Sequence, residues 1–163
     1  MSDPLIRPAR PGDADEIVRL VQALAEYENE PAEVVKLTAD VVRRDAFGDR
    51  PRFEALLAEH DGAVVGLALF YENYSTWRSR PGLFLEDLFV EERVRGLGLG
   101  HALMAALAAV AVERGCGRID LGVLHWNPTR DFYHRLGFRH IDQWLPYRLE
   151  GPAIADLARR AET

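Results

Sequence analysis

The spacing of apolar residues along the chain predicts a set of helices and strands. Ile17, Leu20 and Leu24 recur at intervals of three or four residues, which is the pattern of the buried face of a helix. Residues 118–124 alternate between apolar and polar side chains, as a half-buried strand does. Six of the eight residues 83–90 are apolar, which is too dense for a half-exposed strand and predicts a buried one.

Turn and capping residues set the limits of the other elements. Pro31 ends the first helix, and Thr38 is placed to cap a second helix that runs through Phe47. Asp61 and Gly62 predict the tight turn of a β-hairpin. The predicted strands are 5–9, 53–59, 63–71, 83–90 and 118–124, with a final pair within 138–141 and 144–149. The predicted helices begin after Asp13, Thr38 and Gly100 and also cover 127–136 and 152–161, and a polar loop is predicted at 72–82.

These elements follow the order β-α-α-β-β-β-α-β-α-β along the chain. Such an order predicts an α+β (mixed α/β) fold, in which a mixed sheet is flanked by helices. A chain of 163 residues suits one domain with a core of its own, and it contains no internal repeat, linker or low-complexity segment. We therefore expect a single domain that covers residues 1–163.

Composition and charge remove several classes of protein. The net charge of −6 leaves no basic stripe that would neutralise the phosphates of a nucleic acid. No apolar run is long enough to span a bilayer, and the first residues show no secretory signal. Cys116 is the only cysteine, and no group of cysteines and histidines has the spacing of a zinc site. We expect a cytoplasmic protein without a metal that binds neither nucleic acid nor membrane.

A glycine-rich segment, 95–100, lies between the buried strand and the helix that follows it. Glycine allows the backbone to approach a ligand closely, and the unpaired N–H groups at a helix N-terminus attract anions. Gly100 is followed by His101 and not by the lysine of a Walker A loop, and the spacing of a dinucleotide-binding loop is also missing. The segment fits the pattern Arg/Gln-x-x-Gly-x-Gly/Ala, which begins at Arg95. A phosphate site with nearby arginine charges is predicted, and a glycine-rich turn without a ligand is the alternative.

Two carboxylates, Glu86 and Asp87, interrupt the buried strand. Carboxylates within an apolar strand are costly unless they are paired or take part in function. Adjacent residues of a strand face opposite sides of the sheet, so one of the two can face a substrate while the other does not. The alternative is an acidic pair that forms ion pairs with Arg93 or Arg95.

Five stretches together resemble the GNAT superfamily of N-acyltransferases over essentially the full chain. Besides 95–100, they are 6–9 at the start of the chain, 24–28 at the end of the first helix, 85–90 in the buried strand, and 127–137. The last three resemble segments of the diamine (spermidine/spermine) N-acetyltransferases within that superfamily. The resemblance implies the GNAT-type fold, whose central mixed sheet is mostly antiparallel, and it implies acetyl-CoA as co-substrate.

The resemblance also implies a reaction. An N-acetyltransferase of this type moves an acetyl group from acetyl-CoA directly to a primary amine, here of a small cationic acceptor such as a diamine or polyamine. The alternative acceptors are a lysine analogue, another amino acid or an aminoglycoside. A non-catalytic acyl-CoA-binding module is the alternative from another class. Since members of the family often dimerise, a homodimer is expected.

The steps of this reaction require particular residues. An alkyl ammonium with a pKa near ~10 must lose a proton before it can attack, so a base is needed. The resemblance assigns that task to Glu86 acting through water. It also implies that Asp87 holds the far ammonium of a diamine and that Tyr133 protonates the departing thiolate. Phe132 and Leu136, four residues apart, predict the packed side of a short helix and leave Tyr133 turned away from it.

The resemblance assigns the two ligands to separate sets of residues. Acetyl-CoA is expected to contact the buried strand, the glycine-rich segment and the short helix through Leu88, Phe89, Val90, Arg95, Gly96, Leu97, Gly98, Leu99, Gly100, His101, Asn127 and Tyr133. The acceptor is expected in an acidic and aromatic slot formed by Tyr27, Glu28, Glu86, Asp87, Asp142 and Trp144, with Trp77 as a further wall.

Overall fold

A computed structural model describes residues 4–162, which form two compact units that divide between Gly122 and Val123. The first unit contains a sheet and its helices, and the second contains two short helices. In the first unit the elements are β1 Leu5–Pro8, α1 Ala14–Tyr27, α2 Ala39–Phe47, β2 Glu54–His60, β3 Ala63–Ser75, β4 Arg80–Val90, α3 Leu99–Glu113 and β5 Ile119–Leu121. In the second unit they are α4 Thr129–Arg135 and α5 Pro152–Ala158.

The strands of the first unit make one sheet in the order β1-β2-β3-β4-β5. Neighbouring strands are antiparallel from β1 to β4, and β5 pairs with β4 in parallel. A parallel neighbour requires a long crossover, which α3 and the loop before it supply. The mixed, mostly antiparallel sheet flanked by helices that the sequence predicted is confirmed.

One face of the sheet is covered by α1 and α2. Ile17 and Leu20 of α1 are fully buried, as their spacing predicts, and so is Val42 of α2. These side chains pack in one apolar cluster with Leu57 of β2 and Leu67 of β3. The apolar stripe of α1 therefore holds this helix against the sheet, where it contacts β3 and β4.

The helix α3 covers the other face of the sheet. Leu99, Leu103 and Leu107 are at most 1% exposed, and α3 contacts β2, β3 and β4. Side chains alternate between the two faces along each strand, which gives α3 an apolar surface separate from the cluster under α1. Although α3 is rich in alanine and leucine, no described helix, α3 included, is long and apolar enough to span a bilayer.

The predicted hairpin turn and helix cap are both confirmed. Asp61 and Gly62 join β2 to β3 with φ angles of 51° and 77°, the left-handed region that a tight hairpin turn requires. Thr38 precedes α2, and its hydroxyl accepts a hydrogen bond from the N–H of Val41 at 3.3 Å. Both features depend only on residues within one turn of each other, which is why the sequence predicts them.

The polar segment 72–82 is not the loop that the sequence predicted. β3 continues to Ser75 and β4 begins at Arg80, so only the residues between them form the turn. Along this extension the side chains of β3 alternate between half-buried and exposed positions. At its base the rings of Tyr71 and Phe84 stack with their centroids 5.2 Å apart. A two-stranded extension beyond the core needs few apolar residues, and so a polar sequence forms strands here.

The strand pair predicted within 138–141 and 144–149 is wrong, because these residues form turns and irregular structure. Trp144 and Tyr147 are 68% and 92% exposed. An alternating sequence forms a strand only where a neighbouring strand supplies hydrogen bonds, and the described part of the second unit contains no sheet. Pro146 also removes one of the N–H donors that pairing would need.

Three other elements are shorter than predicted. The observed β5 Ile119–Leu121 replaces 118–124, α4 Thr129–Arg135 replaces 127–136, and α5 Pro152–Ala158 with a 3₁₀ turn after it replaces 152–161. For β5 the reason is its neighbour, since pairing with β4 ends at Leu85, where β4 becomes irregular.

Truncation of a buried side chain tests the packing of this core. We expect Leu57→Ala to lower the free energy of unfolding by about 3 kcal/mol, because it leaves a cavity between the sheet and α1. Leu57 is fully buried, whereas Leu5 of β1 is 52% exposed. The control Leu5→Ala should cost less than about 1 kcal/mol. Denaturant unfolding measures both losses, and equal losses would contradict this packing.

Candidate active site

A bulge in β4 occurs at the two carboxylates. Leu69 of β3 pairs with Asp87, but the next residue, Phe70, pairs with Leu85, so that Glu86 is one extra residue in β4. A bulge leaves its extra residue outside the ladder and changes the direction of nearby side chains. Leu85 and Asp87 therefore lie on opposite faces of the sheet, as their partners do, and Glu86 is exposed. The regular alternation expected from the sequence does not hold at this point.

Three carboxyl groups interact around Asp87. Burial, followed by the charges of Glu86 and Glu28, raises the pKa of Asp87 to about 6. Glu28 follows the last residue of α1, and burial raises its pKa as well. Within residues 4–162, no arginine or lysine forms an ion pair with any of these three carboxyl groups. The site is therefore acidic and has no cationic side chain paired with it among the described residues.

Tyr71 of β3 belongs to the same surroundings, although the sequence did not single it out. Burial and then the charge of Glu86 raise the pKa of its phenol. Tyr71 lies two residues after Leu69 and hence on the same face of the sheet as Asp87. Only the register of β3 against β4 reveals this neighbour, because nothing in the local sequence marks it.

The edge of β4 that faces away from β3 is open beyond Leu85, since β5 pairs no further along the described chain. The N–H of Glu91 donates to β3, and backbone groups alternate along an antiparallel strand. The backbone polar groups of Leu88 and Val90 therefore point towards the open edge, whereas those of Phe89 are used in pairing with β3. An open strand edge offers donors and acceptors to an extended ligand.

The glycine-rich segment leads into the N-terminus of α3. Gly96 and Gly98 have φ angles of 84° and 80°, which glycine adopts without strain. Gly98 is the N-cap of α3 and offers no side chain to the first N–H groups. Ala102 donates to the Gly98 carbonyl at 2.9 Å, and the three N–H groups before it have no acceptor within the helix. The first turn of α3 has no acidic residue, so this helix end is suited to an anion.

Two arginines near this segment use their side chains elsewhere. Arg93 donates through Nε to Glu91 at 2.7 Å. Arg95 donates through Nε to the Val90 carbonyl at 3.0 Å, and its guanidinium lies 4.7 Å from the centroid of the Tyr27 ring. Both side chains thus bind protein groups other than the first turn of α3, and their contribution of charge to the phosphate site stays a prediction. The alternative in which they pair with the two carboxylates of β4 is wrong.

In the second unit, Tyr133 lies in α4 and is only 8% exposed. Its ring meets those of Phe132 and Phe138 edge-on, at centroid distances of 5.3 and 5.7 Å. Phe132 and Leu136 are half-buried. The prediction that Tyr133 faces away from the packed side of the helix is therefore wrong, because Phe138, which lies beyond the helix, completes an aromatic group around it.

Asn127 also lies in the second unit, at the start of α4. It is 6% exposed, and its Oδ1 accepts a hydrogen bond from the N–H of Thr129 at 2.9 Å. Its carbonyl accepts from the N–H of Arg130 at 3.2 Å. Asn127 thus shapes the first turn of α4 and lines a cavity of about 300 Å³ together with His125 and His134.

The residues predicted for the acceptor slot fall into two sets. Tyr27, Glu28, Glu86 and Asp87 belong to the first unit, where the last three interact electrostatically. Asp142 and Trp144 belong to the irregular part of the second unit and are exposed. Trp77 lies in the turn between β3 and β4 and is 92% exposed.

Comparison with known proteins identifies the family. The sequence profile described as the Acetyltransferase (GNAT) family matches residues 18–138. The chain belongs to this family. The thialysine N-epsilon-acetyltransferase of Sus scrofa is 38% identical over 97% of this chain and 99% of that protein. The spermidine/spermine N(1)-acetyltransferase-like protein 1 of Homo sapiens is 32% identical over 94% of this chain, which covers 23% of that protein.

A solved structure supports the same fold. An integron cassette protein from the mobile metagenome of V. cholerae superposes with a TM-score of 0.80 at 24% sequence identity, over 98% of this chain and 99% of that one. The predicted GNAT-type fold is thus confirmed. The prediction of an enzyme that transfers an acetyl group to an amine is confirmed as well.

The raised pKa of Asp87 predicts a pH-dependent loss of stability. The ordinary pKa of an aspartate is 3.8, against about 6 here, so the unfolded chain releases this proton first as the pH rises. The contribution of Asp87 to the free energy of unfolding should therefore fall between about pH 4 and pH 6. Asp87→Asn has no proton to release at this position. The free energy of unfolding of Asp87→Asn, relative to that of wild type, should therefore rise over that range and level off at a gain of about 1–2 kcal/mol, a figure that allows for partial exposure.

Melting temperatures at a series of pH values from about 4 to about 7.5 measure this effect. Asp49→Asn is the control, because Asp49 is exposed in the connection between α2 and β2. Its difference from wild type should not grow with pH. A constant difference for Asp87→Asn over the same range would refute the assignment of a raised pKa.

Proposed function

We propose that the protein acetylates a primary amine of a small cationic acceptor of the diamine or polyamine class, with acetyl-CoA as donor. The observation that carries this proposal is the group of three carboxyl groups around Asp87, which has no counter-ion among the described residues. An ammonium group placed there would relieve the repulsion between the carboxyl groups and favour the ionised form of Asp87.

The glycine-rich segment and the open strand edge fit acetyl-CoA. The first N–H groups of α3 suit the pyrophosphate, and a side chain at Gly96 or Gly98 would meet nothing within 4 Å, so the space beside the loop is open. The backbone groups of Leu88 and the N–H of Val90 suit the amides of the pantetheine arm, whereas the Val90 carbonyl already accepts from Arg95. When bound, acetyl-CoA supplies the acetyl group as a reactive thioester. Asn127 and His101 are proposed as further contacts.

The reaction consumes an ammonium and a thioester and yields an amide, a thiol and one proton. The ammonium first releases a proton, since at pH 7 only about one alkyl amine in ~10³ is neutral. The amine nitrogen then forms a bond to the thioester carbonyl carbon, the carbon–sulfur bond breaks, and the nitrogen loses a second proton as the amide forms. The departing thiolate takes up a proton. Each proton transfer requires a placed acid or base.

Glu86 and Asp87 divide the tasks at the acceptor in this proposal. The bulge leaves Glu86 exposed, which supports its role as a base that acts through water. Asp87 is more deeply buried and would hold the far ammonium of a diamine, with Glu28 beside it. Tyr27, Asp142 and Trp144 remain proposed walls of the acceptor slot.

Tyr133 is proposed as the acid that protonates the thiolate and as a contact of acetyl-CoA. A phenol with a pKa near ~10 is a weaker acid than a thiol near ~8.5, so this transfer requires a poorly solvated thiolate. The burial of Tyr133 among aromatic rings supports such surroundings. The nucleophile is the amine itself and not Cys116, whose pKa is raised by burial and which is therefore a weak nucleophile at neutral pH.

A lysine analogue is the second candidate acceptor. It is favoured by the 38% identity with a relative named thialysine N-epsilon-acetyltransferase, over nearly the whole of both chains. Such a molecule also presents a primary amine on a flexible chain, but it carries a carboxylate that the three acidic groups would repel. We therefore rank it after the diamines.

We further propose a single acyltransferase domain over residues 1–163, a homodimer, and a cytoplasmic location. The family match spans 18–138 and so crosses the division between the two units, which supports one domain. A homodimer is supported by apolar side chains of the second unit that are 68–92% exposed and that a second copy would bury, namely Trp144, Leu145 and Tyr147. The proposed location is supported by the use of acetyl-CoA, which is an intracellular metabolite.

Release of free thiol from acetyl-CoA tests the proposed acceptor class. We expect turnover with spermidine and with a short diamine, and weaker turnover with thialysine and ordinary amino acids. A reaction without amine serves as the blank. Turnover with thialysine alone would replace the polyamine proposal by the second candidate. If no amine releases thiol, the proposed function is refuted.

Substitution of Tyr133 tests the role of the acid. Tyr133→Phe should lower kcat by about 10² or more, the range expected for loss of a general acid, with little change in the affinity for acetyl-CoA. Cys116→Ala serves as the control and should leave turnover unchanged, because the amine is acetylated directly. An unchanged kcat in Tyr133→Phe would remove Tyr133 from the mechanism. Loss of most activity in Cys116→Ala would instead indicate an acetyl-cysteine intermediate.

A further inference from the structure

Arg95 begins the glycine-rich segment, but its side chain is turned towards the end of α1. Its Nε donates to the Val90 carbonyl at 3.0 Å. Its Cζ lies 4.7 Å from the centroid of the Tyr27 ring and 5.7 Å from that of Phe89. A guanidinium over an aromatic face at these distances is attracted to the ring. One side chain thus connects the loop, the open edge of β4 and the end of α1.

The ring that Arg95 covers adjoins the acidic group. Tyr27 is the last residue of α1, Glu28 follows it, and Glu28 is one of the two charges that act on Asp87. Tyr27 is 36% exposed, so its ring has room to change rotamer unless a neighbour holds it. Because Glu28 directly follows Tyr27 at the end of α1, a contact that holds the Tyr27 ring also restricts the backbone from which the Glu28 side chain extends.

We propose that Arg95 is a positioning residue for the acceptor amine. Its guanidinium clamps the Tyr27 ring and thereby holds Glu28 in place beside Asp87, while the backbone of the segment serves the anion. This inference rests on the proposed function, because it assigns the acceptor to the carboxyl groups near the end of α1. It also gives the two parts of the Arg95–Gly100 segment different ligands. The arginine side chain acts on the acceptor amine, whereas the glycine backbone binds the pyrophosphate of acetyl-CoA.

The chain offers closely matched variants to test this role. Arg95→Gln keeps a residue that the Arg/Gln-x-x-Gly-x-Gly/Ala pattern accepts but removes the cation, whereas Arg95→Lys keeps a cation. Tyr27→Phe keeps the ring, and Tyr27→Ala removes it. Arg43→Gln is the control for loss of one positive charge, because Arg43 is an exposed residue of α2 that pairs with the exposed Asp40.

Steady-state kinetics with spermidine at saturating acetyl-CoA provide the first measurement; thialysine is used if only that amine turns over. Arg95→Gln and Tyr27→Ala should each raise the acceptor KM about tenfold and leave kcat within about twofold. Arg95→Lys and Tyr27→Phe should stay within about threefold of wild-type KM. Calorimetric titration with CoA should show affinities within about twofold in all variants. Arg43→Gln should change neither quantity.

The inference is overturned if the substitutions change the affinity for CoA instead of the acceptor KM. A loss of CoA affinity of more than about tenfold in Arg95→Gln, with an unchanged acceptor KM, would make the side chain a ligand of acetyl-CoA. An unchanged KM for Arg95→Gln with unchanged CoA affinity would also overturn it.

A measurement that needs no acceptor separates this inference from the proposed function. The Tm losses of Arg95→Gln and Tyr27→Ala should together exceed that of the double variant by about 2 °C, because both single variants remove the same contact. Additive losses would refute the clamp, whatever amines the enzyme accepts. Non-additive losses in a protein that acetylates no amine would refute the proposed function and leave the contact between Arg95 and Tyr27 established.

Discussion

The interrupted pairing of β3 with β4 is the constraint on which the rest of the site depends. One extra residue, Glu86, is accommodated in β4, so that Leu85 stays on one face of the sheet and Asp87 lies on the other. The pairing with β5 ends at Leu85, where the bulge begins, and the edge of β4 beyond it is open. One irregularity therefore exposes a strand edge and places a carboxyl group near the end of α1, which is how bulges are often used beside active sites.

The first unit also retains two sets of charges that its own residues do not neutralise. Burial, together with the charges of Glu86 and Glu28, raises the pKa of Asp87 to about 6, which means that the folded state disfavours the carboxylate it carries at neutral pH. The N-terminus of α3 has neither a capping side chain nor an acidic residue in its first turn. Each feature lowers the stability of the free protein. Such costs are typical of functional sites, because a ligand of opposite charge removes them.

Much of the fold and the nature of the site follow from residues that are close together in the chain. The stripe of Ile17 and Leu20, the cap at Thr38 and the turn at Gly62 are each determined within a few residues, and the structure contains all of them. The glycine-rich segment before α3 is equally local, since positive φ angles and a helix N-terminus need only the right residues in order. A functional role for the two carboxylates of β4 could be predicted from the sequence, because carboxylates within an apolar strand cost free energy unless they are paired or functional.

What the sequence by itself did not determine depends on partners that are distant in the chain. Whether 72–82 and 138–149 form strands is decided by whether a neighbouring strand pairs with them, and only the first does. The bulge exists only in the register of two strands, and Tyr133 is turned inward by a ring beyond its own helix. Arg95 contacts the Tyr27 ring because α1 packs against the sheet. Local pattern specifies an element and its chemistry, whereas tertiary packing decides which side chains meet, because those contacts join segments whose spacing along the chain carries no signal.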